Sequence, residues 1–133
     1  MLNITKKADY GLLMLTSLAN ENPNSFIPLK QLASNQDLPY KFLSQIAIEL
    51  KAGGIIESKE GFGGGYRLKR PAKNISISEI LTLLEGPIAP MACFKGKACK
   101  HAPDCGHRKI MERLTTAFNK TLSAYSLANL SAS

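Results

Sequence analysis

Pro39-Tyr40-Lys41-Phe42-Leu43-Ser44-Gln45-Ile46-Ala47-Ile48-Glu49-Leu50-Lys51-Ala52-Gly53-Gly54 runs straight into Ile55-Ile56-Glu57-Ser58-Lys59, then Glu60-Gly61-Phe62-Gly63-Gly64-Gly65, then Tyr66-Arg67-Leu68-Lys69. The first segment has the period of a helix. Proline suits its first turn, Phe42, Leu43, Ile46, Ala47 and Leu50 form one apolar stripe, and the glycine pair closes it. The two runs after it are short strands around a glycine-rich turn, a β-hairpin joined directly to the helix. The other face of that helix carries Tyr40, Lys41, Ser44, Gln45 and Lys51. Gln can bond adenine bidentately, and Lys and Ser can reach guanine or phosphate. Glycines such as Gly63 and Gly64 let the hairpin backbone turn with positive φ and come close to a DNA backbone, with Lys59 and Arg67 beside them. As a nucleotide cradle the glycine run fits poorly, since no helix opens after it and no Lys-Ser/Thr follows.

Moving outward, Pro28-Leu29-Lys30-Gln31-Leu32-Ala33-Ser34 opens with proline and places Leu29, Leu32 and Ala33 on one face of a short helix. A turn at Ser34-Asn35-Gln36-Asp37 joins it to the helix from Pro39. This pair reads as helix-turn-helix. An earlier helix over Ile4 to Ala19 has Ile4, Ala8, Leu12, Leu15 and Ala19 at helical spacing behind a cap at Asn3 or Thr5, and it stops at Asn20-Glu21-Asn22-Pro23-Asn24. After the hairpin, Ser76-Ile77-Ser78-Glu79 has the capping-box pattern. Ile77, Ile80, Leu81 and Leu84 then form a stripe that Gly86-Pro87 ends. Near the C-terminus Met111, Leu114, Phe118, Leu122 and Tyr125 recur every three or four residues, on a helix too amphipathic to stand without a partner surface. A homodimer supplies one, and two recognition helices related by a two-fold axis would read a palindrome in successive major grooves. The fold class is therefore mainly α with a small β-hairpin wing (α+β): a winged helix-turn-helix domain over 1–88, a cysteine-rich loop over 89–107, and a dimerisation helix with its tail over 108–133.

The 133 residues suffice for one core, and 17 Lys and Arg against 10 Asp and Glu give a net charge of +7. With a pI near 9.5, such an excess suits a polyanionic partner, double-stranded DNA in this context. No apolar run is long enough to span a bilayer, and the opening Met1-Leu2-Asn3-Ile4-Thr5-Lys6-Lys7 is not a signal peptide, which points to a reducing cytoplasm.

All three cysteines, Cys93, Cys99 and Cys105, fall within Met91 to Arg108, with His101 and His107 interleaved. Lysines, glycines and a proline surround them, which does not suit buried thiols, and an odd number cannot close a disulfide framework. Three thiols lacking a fourth partner fit an iron–sulfur cluster or zinc, and the spacing does not choose between them. A plain thiol switch is the other reading. Catalysis by a cysteine nucleophile would need an activating base and a pocket, and no Ser-His-Asp or paired-carboxylate arrangement accompanies these thiols, so the sequence does not read as an enzyme.

Thr5-Lys6-Lys7-Ala8-Asp9-Tyr10-Gly11-Leu12, Phe42-Leu43-Ser44-Gln45-Ile46, Leu50-Lys51-Ala52-Gly53-Gly54-Ile55-Ile56, Gly61-Phe62-Gly63-Gly64-Gly65-Tyr66, Leu84-Glu85-Gly86-Pro87 and the three cysteines together resemble the IscR/NsrR-type winged-helix transcription regulators. The resemblance spans nearly the whole chain. It implies a dimer with a long crossing C-terminal helix, DNA binding through the third helix and the wing, and a two-iron or four-iron cluster on Cys93, Cys99 and Cys105 that senses iron–sulfur status, redox stress or nitric oxide. Two positions depart from the pattern. IscR places its fourth ligand, a histidine, three residues after the last cysteine, where this chain has Arg108. NsrR-like members use instead an aspartate from helix one of the partner subunit, and Asp9 occupies that place, with His107 the alternative. The arginine that many members carry just before the first wing glycine is Glu60 here, so either Lys59 or Arg67 takes that role or the wing contributes less.

Overall fold

Thr5 starts the first helix by accepting a hydrogen bond from the Ala8 N–H at 3.3 Å, satisfying a donor that the helix itself cannot. The computed structural model describes residues 4–87 and 106–131. Helix α1 spans Lys6–Ala19 and buries Ala8, Gly11, Met14, Leu15 and Leu18. Ile4 falls outside it and is 62% exposed. It precedes the cap, so the helical period that placed it with Ala8 and Leu12 does not yet apply.

Helix α2, Leu29–Gln36, buries Leu29, Leu32 and Ala33 and ends at Asp37, which takes the left-handed conformation with φ 52°. Helix α3, Tyr40–Ala52, follows and buries Leu43, Ile46, Ala47 and Leu50. Phe42 is half-buried, its ring edge-on to that of Tyr10 at 5.5 Å. The wing is an antiparallel pair, β1 Ile56–Lys59 and β2 Gly65–Leu68, in the register Ile56 to Leu68 through Lys59 to Gly65. Beside β2, Ile27 and Tyr66 exchange two backbone hydrogen bonds, each 2.8 Å, so the segment entering α2 extends the sheet by one bridge. A single 3-10 turn at Ala72–Asn74 leads to helix α4, Ile77–Glu85. There Ser76 accepts from the Glu79 N–H at 3.0 Å, as the capping-box pattern requires.

The core lies where α1, α3 and α4 meet. Met14, Leu15, Leu43, Leu50, Ile55 and Ile80 are all fully enclosed, and no polar or charged side chain is buried among the described residues. Gly11 lets α1 and α4 approach closely, since a Cβ there would stand 2.5 Å from Leu84 Cδ1.

Helix α5, Gly106–Ala124, buries none of its residues and leaves Ile110, Leu114 and Phe118 about half exposed. The sequence placed Tyr125 on the same stripe. The helix instead stops at Ala124, and Tyr125 begins a turn back to the winged domain. Its carbonyl accepts from the Ile77 N–H at 2.9 Å, and the Leu127 N–H donates to the Ile75 carbonyl at 2.8 Å. These bonds seat helix α6, Leu127–Ser131, whose Leu127 is wholly buried against the core. No described helix is long and apolar enough to cross a membrane.

Candidate nucleic-acid interface and cysteine segment

With Leu43, Ile46, Ala47 and Leu50 fixed inward, the 3.6-residue period turns Lys41, Gln45, Ile48 and Ala52 directly outward. All four are exposed. Tyr40 at the helix start is 47% exposed, Lys51 is exposed, and Ser44 is half-buried at the margin of the same face. The five residues singled out on this helix therefore share a solvent-facing surface.

Ile48 was not among them, yet it is 65% exposed at the centre of that surface. Its place seven residues after Lys41 was the available signal, outweighed by the habit of assigning isoleucine to the core. Glu49, the one acid of α3, turns aside. Its carboxylate receives Lys7 Nζ of α1 at 2.7–2.8 Å, which removes negative charge from the face that would meet phosphate.

In the wing, Gly61 and Gly63 have φ of 85° and 73°. The turn closes with the Gly64 N–H donating to the Gly61 carbonyl at 3.0 Å. A side chain on Gly64 would meet the Lys59 carbonyl at 2.3 Å, whereas one on Gly63 would meet nothing within 4 Å. Phe62, held out between these glycines, is 105% exposed. Sequence reasoning missed this too, although an aromatic flanked by residues without side chains has nothing in its own hairpin to cover it.

The two wing cations differ in what they touch. Arg67 donates from Nε to Glu57 Oε1 at 2.6 Å, reaches the Asn24 carbonyl at 3.5 Å, and stacks its guanidinium 4.3 Å from the Phe26 ring centroid. Lys59 sits more loosely, 5.9 Å from the same ring, and is exposed.

Cys93, Cys99, Cys105 and His101 lie outside the described residues. Asp9 is exposed in the first turn of α1. That turn is tied to the end of α4, because the Thr5 hydroxyl donates to the Glu85 carboxylate, one residue before Gly86 leads the chain toward the cysteines. His107 is exposed near the start of α5, and the next residue, Arg108, donates to Glu112 at 3.0 Å. Among the described residues, no three His, Cys, Asp or Glu side chains gather as a metal site.

Residues 4–133 match the model of a family described as Rrf2, iron-dependent transcriptional regulators. The NsrR transcriptional regulator of Bacillus licheniformis is 28% identical over 131 residues, covering 97% of this chain and 92% of that protein. Among solved structures, CymR of B. subtilis, described as its global cysteine regulator, superposes with a TM-score of 0.84 at 28% identity, over 99% of this chain and 98% of that one. The IscR of T. potens superposes with a TM-score of 0.78 at 25% identity, over 97% and 85%.

Proposed function

The chain belongs to the Rrf2 family of transcriptional regulators, and from that membership we propose that it acts as a homodimer on a palindromic operator under the control of an iron–sulfur cluster. It is a winged-helix regulator and not an enzyme. The observation that carries the reading is the outward face of α3, where Lys41, Ser44, Gln45 and Lys51 surround the helix surface opposite the core and the wing follows without a linker. Such a helix enters the major groove while a hairpin follows the neighbouring backbone. In the wing we assign phosphate contact to Lys59 and to the backbone at Gly63 and Gly64, because Arg67 is occupied by Glu57 and Phe26.

The dimer reading rests on α5. A 19-residue helix with no buried side chain gains little from its own hydrogen bonds in water. Pairing of its Ile110, Leu114 and Phe118 face with a second copy would bury that surface.

The donor chemistry fits a cluster. Cys93, Cys99 and Cys105 would supply three soft thiolates, leaving one position for Asp9 of the partner subunit or for His107, both of them exposed. Arg108 stays protonated and cannot coordinate. When bound, the cluster would supply an iron centre sensitive to oxygen, nitric oxide or thiols. A carboxylate fourth ligand is harder than thiolate and would hold its iron less firmly.

Anaerobic purification followed by iron and sulfide analysis tests this reading directly. Visible absorption with iron and sulfide in similar amounts is the expected result, and it should vanish in Cys93→Ala, Cys99→Ala or Cys105→Ala. Asp9→Ala should keep the cluster but bleach faster in air, whereas the same behaviour in His107→Ala alone would place the fourth ligand within one subunit. Colourless protein lacking iron would leave the second reading, a zinc-stabilised or thiol-switched regulator; a structure similar to this one is described as an oxidized form of Staphylococcus aureus CymR, which accords with a thiol switch.

A further inference from the structure

On α3 the residues one turn before and one turn after Ile48 on its own face are Ser44, Gln45, Lys51 and Ala52. Two can hydrogen-bond, one is a cation and one is a methyl group. Ile48 at their centre is 65% exposed, a β-branched apolar side chain where the helix has no packing use for one. Nor does it serve helix propensity, since alanine, glutamine or lysine would each suit an exposed helix position better. The surroundings say what covers it. Lys41 and Lys51 are exposed at either end of the surface, and Lys7 holds the carboxylate of neighbouring Glu49 at 2.7 Å. The patch is therefore apolar at its centre and positive at its margins, complementary to a groove walled by phosphates with a methyl group on its floor.

We infer that Ile48 reads the C5 methyl group of a thymine in the major groove, one such contact in each half-site. This rests on α3 being the DNA-reading helix. The major-groove edge of thymine presents one acceptor and one methyl, and only the methyl distinguishes it by apolar contact. Ser44 and Gln45, one turn earlier, are placed to address the polar edge of an adjacent base pair. Ile48 then adds discrimination that no hydrogen bond supplies.

The test uses the full-length wild-type protein and duplexes it enriches from a random-sequence pool. Each thymine of the enriched site is replaced singly by deoxyuridine, which keeps every hydrogen-bonding group and lacks only the methyl. At one thymine per half-site the wild type should bind about four-fold more weakly, the worth of burying one methyl-sized group. Ile48→Ala should bind the thymine duplex weakly and be indifferent to that replacement. Because the position is exposed and alanine is the better helix former, thermal unfolding of the variant should match the wild type, so weakened binding does not reflect misfolding.

Three results overturn the inference. The first is a wild type that tolerates deoxyuridine at every position within two-fold, and the second is an Ile48→Ala protein that keeps the wild-type sensitivity. The third is sedimentation in which Ile48→Ala dissociates the dimer, which would make the patch an interface between copies. If the wild type enriches no duplex at all, the regulator reading falls first and the thymine contact with it.

Discussion

Gly65→Ala should be far more damaging than Gly63→Ala, although both glycines belong to the same hairpin and both have positive φ. At Gly65 φ is 142°, and a Cβ would stand 2.3 Å from the Ile27 carbonyl carbon and oxygen and 2.6 Å from Pro28 N. The neighbour is backbone, so no rotamer change relieves it. Making room breaks the two 2.8 Å hydrogen bonds between Ile27 and Tyr66, worth about 1 kcal/mol each. Holding alanine at that φ adds about 1–3 kcal/mol of strain. Together these give about 3–5 kcal/mol, a fall in Tm on the order of 10–20 °C for a chain of this size. Gly63, with φ 73° and nothing within 4 Å, should lose only the left-handed penalty of about 1–2 kcal/mol. Urea unfolding followed by circular dichroism at one fixed protein concentration separates the two, concentration being held because a dimer's stability depends on it. Costs equal within about 0.5 kcal/mol, the spread of an ordinary surface change, would refute the argument that the wing is anchored through Ile27.

Phe118, 46% exposed on α5, should tolerate aspartate as a folded chain but not as a dimer. Phe118→Asp is expected to sediment as a monomer, and an intact dimer would count against α5 as the interface. Lys41→Ala and Lys51→Ala should weaken binding to all duplexes alike and each reduce the slope of log affinity against log salt by about one. Ser44→Ala and Gln45→Ala should instead lower discrimination, by about 1–3 kcal/mol per lost base contact. Unchanged specificity in both would remove α3 as the reader. Leu127→Ala empties a fully buried position and should cost about 2–5 kcal/mol in urea unfolding. A cost under about 1 kcal/mol would mean that α6 does not anchor the tail.

The helices of the winged domain were legible because each has a complete local signal. Proline opens α2 and α3, Thr5 and Ser76 cap α1 and α4, and the buried residues of α3 fall on the stripe that period 3.6 selects. The tail was legible only in part. Amphipathic spacing carried the stripe through Tyr125, but the helix ends at Ala124 because Tyr125 and Leu127 bond to Ile77 and Ile75, about 50 residues earlier in the chain. Hydrophobic period reports which side of a segment is apolar. It does not report which of two apolar surfaces, a second copy or the chain's own core, receives each residue. Leu127 went to the core, while Leu114 and Phe118 remained exposed.

The interface shows the same division between local and distant information. Lys41, Gln45 and Lys51 could be placed on the outer face from spacing alone, and so could Ile48 had its type not suggested burial. Arg67 could not be distinguished from Lys59 as a phosphate contact, because what distinguishes them is remote in sequence. Phe26 and the Asn24 carbonyl lie about 40 residues before Arg67, and the Ile27 to Tyr66 bridge brings that segment alongside β2. With Glu57 paired to it across the hairpin at 2.6 Å, Arg67 has its charge met and its plane stacked before any DNA arrives, and contact with phosphate would disturb both. Among the described residues Lys59 has a distant ring beneath it, and it retains donors that can turn toward solvent. Under the proposed function, Glu60 before the first wing glycine leaves phosphate contact in the wing to Lys59 and the glycine backbone, and base-specific recognition to α3.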